Sequence, residues 1–277
     1  MSDVRIPIEA IKGRGAATRV PHRFESLARD AFDDGWGGLV YADAPPPPRT
    51  EVILEDAKSV ISRNSSPDIH FEQSINPYRG CEHGCVYCYA RPSHSYLGLS
   101  PGLDFETKII AKRNVVAVLQ RELAARSYVP RPLAVGVNTD CYQPVERDLQ
   151  LTRGVLQTLH DTRHGLALIT KSSLVERDMD LLVPIAKQGL AAVYITVTTL
   201  DAKLARILEP RAAAPYRRLE TIRRLAQAGI PVGVSVAPQI PFINDDMEQV
   251  LQAAWEAGAR RAFYVVMRLP HEMNELF

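Results

Sequence analysis

Leu133-Ala-Val-Gly-Val137, the stretch Arg147–His160, and Leu166-Ala-Leu-Ile-Thr170 form one unit: a short apolar run, a segment of helical period, and a second short apolar run. Apolar runs of this length bounded by polar turns suit strands buried on both faces. Two such strands joined by a helical crossover lie parallel, because the crossover returns the chain to the same end of the sheet. The pattern extends in both directions. Strands are expected at Asp68–Gln73, Leu133–Val137, Leu166–Thr170, Ala192–Val197, Pro231–Ala237 and Arg261–Val266. Helices are expected at Asn114–Ala125, Arg147–His160, Glu176–Lys187, Pro215–Ala228 and Met247–Ala257. Gly189, Gly229 and Gly258 follow three of them, where a left-handed residue closes a helix. Pro215 opens another, where a missing N–H costs nothing. The fold class is therefore α/β with parallel strands, a partial (β/α)6 TIM-type barrel or an open doubly wound sheet. In both, ligands gather at the carboxyl ends of the strands. Eleven residues follow Val266, too few for another covering helix, so the expectation for 67–277 is a barrel truncated after its sixth strand.

Residues 1–66 read differently. They hold Lys12-Gly-Arg-Gly15, the acidic Asp33-Asp-Gly-Trp36 and a proline run from Pro45 to Pro48. The proline run favours extended polyproline II. This composition fits a partly irregular N-terminal extension lying against the main body, or a disordered tail.

With 46% hydrophobic and 23% charged residues, the 277-residue chain has ordinary globular composition. A net charge of +1 excludes a global basic field but leaves room for a local basic groove. No stretch reaches the ~18 apolar residues of a membrane span. Met1–Ala10 lacks the apolar core of a signal peptide. The expectation is a cytoplasmic protein without membrane contact. Three of the four cysteines fall within eight residues, whereas a disulfide scaffold spreads its cysteines to close larger loops.

Those three lie in Asn76-Pro-Tyr-Arg-Gly-Cys81-Glu-His-Gly-Cys85-Val-Tyr-Cys88-Tyr-Ala-Arg91, spaced Cys-x3-Cys-x2-Cys on a loop after a predicted strand. Three thiolates can each ligate one iron of a cubane [4Fe–4S] cluster, leaving the fourth iron open. Zinc is the competing reading, and it wants a fourth protein ligand such as His83 or His94. Unligated buried cysteines are the plainest alternative.

The spacing, with Tyr87 before the last cysteine, resembles the radical S-adenosylmethionine (SAM) superfamily. More narrowly, the chain resembles the bacterial branch related to spore photoproduct lyase and called DNA repair photolyase. The runs that carry this include Asn64–Phe71, Ser74–Cys81, Ala90–His94, Leu97–Phe105, Ile169–Ser172, Glu209–Arg211 and Ala237–Pro241. The resemblance implies a lyase-like enzyme. SAM would be chelated at the open iron and reductively cleaved, and the 5′-deoxyadenosyl radical would abstract hydrogen from a substrate. It also implies a one-electron reductant such as flavodoxin or ferredoxin; the substrate stays open, with nucleic acid one candidate. A non-catalytic zinc-binding interaction module is the alternative from another class.

The predicted strand ends offer partners for SAM. Thr139 and Asp140 can hydrogen-bond its ribose or amino group, or simply shape a turn. Lys171 and Ser172 belong to a Thr-Lys-Ser run that, by resemblance, lies near the cofactor. Thr196 and Ser235 offer hydroxyls at the fourth and fifth strands. By resemblance, Arg211 would clamp the SAM carboxylate with Glu209 orienting it, and a surface ion pair is the plain alternative. Cys141 is a catalytic candidate as a hydrogen-atom donor, or a small strand-end residue. Phe242 stands where relatives carry a glycine. Arg217, Arg218, Arg223 and Arg224 share one predicted helix, as a nucleic-acid contact or as its solvated face.

Overall fold

Leu166, Leu168 and Thr170 are buried, while Ala167 and Ile169 between them are only half covered. The same alternation runs through Ala191–Thr196. Such a strand has one face packed under helices and the other turned to a partly open interior. The computed structural model describes residues 11–25, 48–67 and 69–277. Its strands are β1 (Glu51–Glu55), β2 (Ile61–Arg63), β3 (Gln73–Ile75), β4 (Tyr78–Arg79), β5 (Lys108–Lys112), β6 (Leu133–Val135), β7 (Leu166–Thr170), β8 (Ala191–Thr196), β9 (Val232–Gln239) and β10 (Arg261–Val266). The α-helices are α1 (Leu103–Thr107), α2 (Val115–Leu123), α3 (Glu146–Leu149), α4 (Leu151–Asp161), α5 (Met179–Lys187), α6 (Ala202–Leu208), α7 (Pro215–Gln227), α8 (Met247–Ala257) and α9 (Met273–Leu276).

The main sheet has the order β10-β9-β8-β7-β6-β3-β2. Its strands from β3 to β10 are parallel, and β2 adds antiparallel to β3 at the edge. This is a partial TIM-type barrel with helices on one face, as expected. Leu133, Leu168, Val193, Ile195 and Val234 fill the layer between sheet and helices with Val155, Leu182 and Ile222. On the other face small residues dominate, and the Tyr194 ring lies so close over Gly233 that a Cβ there would meet it at 2.4 Å.

The structure corrects several sequence expectations. The first parallel strand lies at Gln73–Ile75 rather than 68–73, because Asn64 turns the preceding chain back by donating its N–H to the Glu72 carbonyl and its side-chain amide to the Phe71 carbonyl. The expected helix Arg147–His160 breaks at Gln150, which takes a left-handed φ of 51°. Glu146 is the reason: its carboxylate accepts from the Thr152 and Arg153 N–H groups and starts α4 afresh. A second sheet, β1-β5-β4, was not expected. The described part of segment 1–66 contains β1 and β2; Asp33–Trp36 and Pro45–Pro47 lie outside the described residues.

Leu168 is fully buried in the sheet–helix layer. Leu168→Ala should lower the unfolding free energy by about 2–5 kcal/mol in chemical denaturation, through lost transfer energy and a residual cavity.

Candidate functional site

The loop carrying Cys81, Cys85 and Cys88 has almost no regular structure, so its backbone groups are held by neighbours. The Cys81 N–H donates to the Phe105 carbonyl (2.9 Å) and the Val86 N–H to the Leu208 carbonyl (3.0 Å). Gln143, fully buried, accepts from the Glu82 N–H (3.0 Å) and donates to the Gly80 carbonyl (3.1 Å), spanning Cys81. Arg91, also fully buried, donates through Nε to the Cys85 carbonyl (3.0 Å) and pairs with the buried Glu106. Glu106 in turn accepts from the Gly15 (3.0 Å) and Ala16 (2.8 Å) N–H groups. Gly15 is thereby pressed on Gly84: a Cβ at Gly15 would sit 1.9 Å from the Gly84 carbonyl oxygen. Glu82 accepts from Thr50 Oγ1 (2.7 Å) and the Val145 N–H (2.8 Å). His94 donates from Nε2 to the Lys108 carbonyl (3.0 Å) and backs Gly80. Burial pulls its imidazole down to about 4.

Cys81 and Cys85 are buried and Cys88 half-buried, and all three are free thiols. Burial pushes Cys85 up to about 12 and Cys81 well up, with neighbouring cysteines adding to both shifts. Three soft sulfur donors within eight residues of one loop, with no disulfide, are suited to metal. Among the described residues no three His, Cys, Asp or Glu side chains converge on one metal position. A cubane takes one thiolate per iron, and three free thiols on one loop meet that need. The donor set therefore fits a cluster.

Beside Cys85 lies a second buried network. Glu209 accepts from Tyr87 Oη, Arg218 Nη2 and Thr198 Oγ1 (2.6 Å). Burial alone would raise this carboxyl; the charges of Arg218 and Lys171 outweigh it and hold it at about 2. Lys171 stays charged despite burial because Cys85 and Glu209 face it, and its Nζ lies 6.0 Å from the Tyr87 ring centroid. The expected Glu209–Arg211 pairing does not form. Arg211 pairs with Glu82 (3.3 Å), and Glu209 takes Arg218, which the sequence offered as a helix-surface residue. Arg218 shares the i, i+4, i+7 face of α7 with Ile222 and Leu225, and that spacing was the signal of its burial. Arg217 and Arg224 pair with Glu176, so much of the arginine stripe is already neutralised.

The remaining candidates fall into two groups. Asp140, with Lys171, lies against the cysteine loop. Its Oδ2 accepts from the Lys171 N–H (2.8 Å) and lies 3.3 Å from His83 Nδ1, while Oδ1 accepts from Thr170 Oγ1 and the Tyr142 N–H. Thr139 donates to the Tyr78 carbonyl (2.8 Å) just before the loop. Thr196 and Ser235 are paired across β8 and β9, both buried, and Ser235 Oγ has no partner among the described residues. Ser172, by contrast, caps a 3₁₀ turn through the Leu174 N–H. Cys141 is fully buried in the sheet–helix core against Gly136 and the Ile169 carbonyl. Phe242 adopts a left-handed φ of 68°, a region that favours glycine. Sequence reasoning missed Glu82, Arg91, Glu106 and Gln143; a charged or amide side chain among apolar loop neighbours gave no periodic signal.

The profile of the radical SAM superfamily matches residues 75–254, well over half of the chain. The chain belongs to the radical SAM superfamily. Uncharacterized proteins of Mycobacterium tuberculosis and Mycobacterium bovis are 35% identical over 212 residues, which is 76% of this chain and 62% of theirs, so it spans less than two thirds of their length. An uncharacterized protein of Methanocaldococcus jannaschii is 28% identical over 197 residues, 71% of each chain. Among solved structures, a spore photoproduct lyase variant superposes with a TM-score of 0.60 at 17% identity, over 81% of this chain and 64% of that one. Another, with bound AdoMet and dinucleoside spore photoproduct, gives 0.59 at 17% identity over the same shares. The radical SAM fold is thus shared with these enzymes.

Two outcomes follow from the buried charges. Arg218→Met leaves the Glu209 carboxylate buried without its cation and should cost about 3–5 kcal/mol in chemical denaturation. For His94 the folded pKa is depressed from 6.5 to about 4. The unfolded chain alone binds that proton in this window, so stability falls as pH drops from 6.5 to 4, by about 3 kcal/mol. His94→Gln should lose that part of the slope in denaturation curves taken across the same range.

Proposed function

We propose that this radical SAM protein is an enzyme that binds a [4Fe–4S] cluster on Cys81, Cys85 and Cys88 and cleaves SAM reductively, with lyase-like chemistry on a nucleic-acid-derived substrate. The observation that carries the reading is the cysteine trio, free and largely buried, on a loop at the carboxyl ends of the barrel strands. When bound, cluster and SAM together supply a 5′-deoxyadenosyl radical for hydrogen abstraction. The chain's own residues hold and shield that chemistry. Arg91 and Gln143 fix the loop carbonyls on either side of the ligands. Lys171 sets a buried positive charge beside Cys85, favouring an anionic ligand there. Thr196 and the unpartnered Ser235 hydroxyl offer SAM hydrogen bonds on adjacent strands, and Arg211 and Asp140 border the same loop. The partial barrel of 67–277 is the catalytic unit, with 1–66 as an extension laid on it, and the enzyme works in the cytoplasm. Among the described residues no helix is long and apolar enough to cross a membrane.

The substrate class rests on likeness to spore photoproduct lyase, whose solved complexes hold a dinucleoside spore photoproduct. A one-electron protein reductant, flavodoxin or ferredoxin, completes the cycle.

Anaerobic reconstitution should give about four iron and four sulfide per chain and a brown protein. Reduction in the presence of SAM should then release 5′-deoxyadenosine. Cys85→Ala should lose both. Colourless wild-type protein binding a single zinc would overturn the assignment.

A further inference from the structure

Residues 14–20 form neither helix nor strand, yet Ala16 and Val20 are buried. A backbone laid down in that way must find its hydrogen bonds on its neighbours. It finds them on one stretch of chain, residues 100–106, which follows the cysteine loop. The Gly15 and Ala16 N–H groups donate to the two carboxylate oxygens of Glu106 (3.0 and 2.8 Å), and Arg14 donates to the Glu106 carbonyl (2.8 Å). Farther along, the Thr18 carbonyl accepts from the Leu103 N–H (3.1 Å) and the Val20 carbonyl from Ser100 Oγ (2.7 Å). Arg19 pairs with Asp104 (3.1 Å). Glycines let the chains touch. A Cβ on Gly102 would sit 2.5 Å from the Thr18 carbonyl oxygen, and one on Gly15 would sit 1.9 Å from that of Gly84 and 3.1 Å from Val86 Cγ1. Neither Gly15 nor Gly102 has a positive φ, so space and not backbone conformation demands glycine there.

Gly84 and Val86 bracket Cys85, so the contact falls on either side of a cluster ligand. The Glu106 oxygen that takes the Ala16 N–H also pairs with Arg91, whose Nε holds the Cys85 carbonyl. Cys85 is thus held from two directions by one segment, directly through Gly84 and indirectly through Glu106 and Arg91. We propose that residues 14–20 are a working part of the cluster site, a strap in which Gly15 is a positioning residue: it presses the Gly84–Cys85 peptide into place and closes the outer side of the cysteine turn to water and small oxidants. The inference rests on the cluster assignment made above and gives the N-terminal segment a role in it. A strap that only braced the fold could lie on any face of the barrel. This one gives two consecutive N–H groups to the carboxylate that orients a ligand loop, and it meets that loop glycine on glycine beside a cysteine. A contact too tight for one added carbon leaves no passage for water between Gly15 and Gly84.

The test uses the full chain as wild type, Gly15→Ala and Gly102→Ala; the second variant pushes on the strap at Thr18, away from the cysteines. In the iron-free chain, iodoacetamide should alkylate Cys85 about tenfold faster in both variants than in the wild type, read by peptide mass spectrometry. Cys141, fully buried in the sheet–helix core, is the internal control, and its rate should not change. In the reconstituted protein, a ferrous chelator should strip iron about tenfold faster from the variants. Should Gly15→Ala fail to fold, Gly102→Ala decides alone. Cys85 rates equal to the wild type would overturn the proposal. So would a parallel rise at Cys141, the mark of general loosening rather than of an opened strap. Faster alkylation with unchanged iron loss would overturn it too, since the strap would then not shield the cluster. A wild type that takes up no iron would count against the cluster assignment, and the alkylation rates would still decide whether the strap closes the loop.

Discussion

A loop that wraps a cofactor cannot satisfy its backbone in a helix or a sheet, and here that constraint is met by buried side chains. Arg91 and Gln143 reach under the cysteine loop and bind its carbonyls, one at Cys85 and one at Gly80. A guanidinium in that place requires a counter-charge, because an unpaired buried cation costs several kcal/mol. Glu106 provides it, and its remaining lone pairs draw in the Gly15 and Ala16 N–H groups from the start of the chain. Breaking the ion pair would therefore loosen three things together: the loop, the α1 turn that carries Glu106, and the N-terminal segment. The close approach of Gly15 to Gly84 shows how little room that arrangement leaves.

The Glu209–Arg218 pair plays the corresponding part on the barrel side. Arg218 also donates to the Thr196 carbonyl (3.1 Å), and Glu209 accepts from Tyr87 in the cysteine loop. The pair thus joins the end of β8, the start of α7 and the loop into one unit. Cys85 and Glu209 raise the half-buried Lys171 ammonium against desolvation, and Arg218 opposes them. Charge at this site is balanced before any ligand arrives, with Glu209 facing two cations and Asp140 facing His83. Buried groups so arranged need not reorganise when an anion and a cation enter together, as they do with a sulfonium amino acid.

The parallel strands were legible because each carries a short apolar run between polar turns, even β10, whose six residues are exposed. Arg261–Val266 was placed to the residue, and Leu166–Thr170 likewise. The cysteine spacing was legible because ligand geometry is written locally. The side sheet was not: Lys108–Lys112 has charged ends and a short apolar centre, and its partner β1 lies some fifty residues earlier, in a segment of mixed composition. The break at Gln150 was hidden for a related reason, since the carboxylate that restarts the helix supports a continuous helix equally well on paper. Pairings such as Glu209 with Arg218 rather than Arg211 depend on which face of α7 meets the barrel. The helical period indicated that face, but the prior that arginine is solvated outweighed it.

The two sides of the cysteine loop meet different surroundings. Inward lie Lys171, Asp140, Thr196 and Ser235, polar groups at the carboxyl ends of parallel strands, where ligands are expected. Outward lie Leu204, Leu208 and Ile240, an apolar cover over Cys85 and Cys88. The division follows from which residues of one short loop face the sheet, and the buried ion pairs on either side keep that loop from turning over.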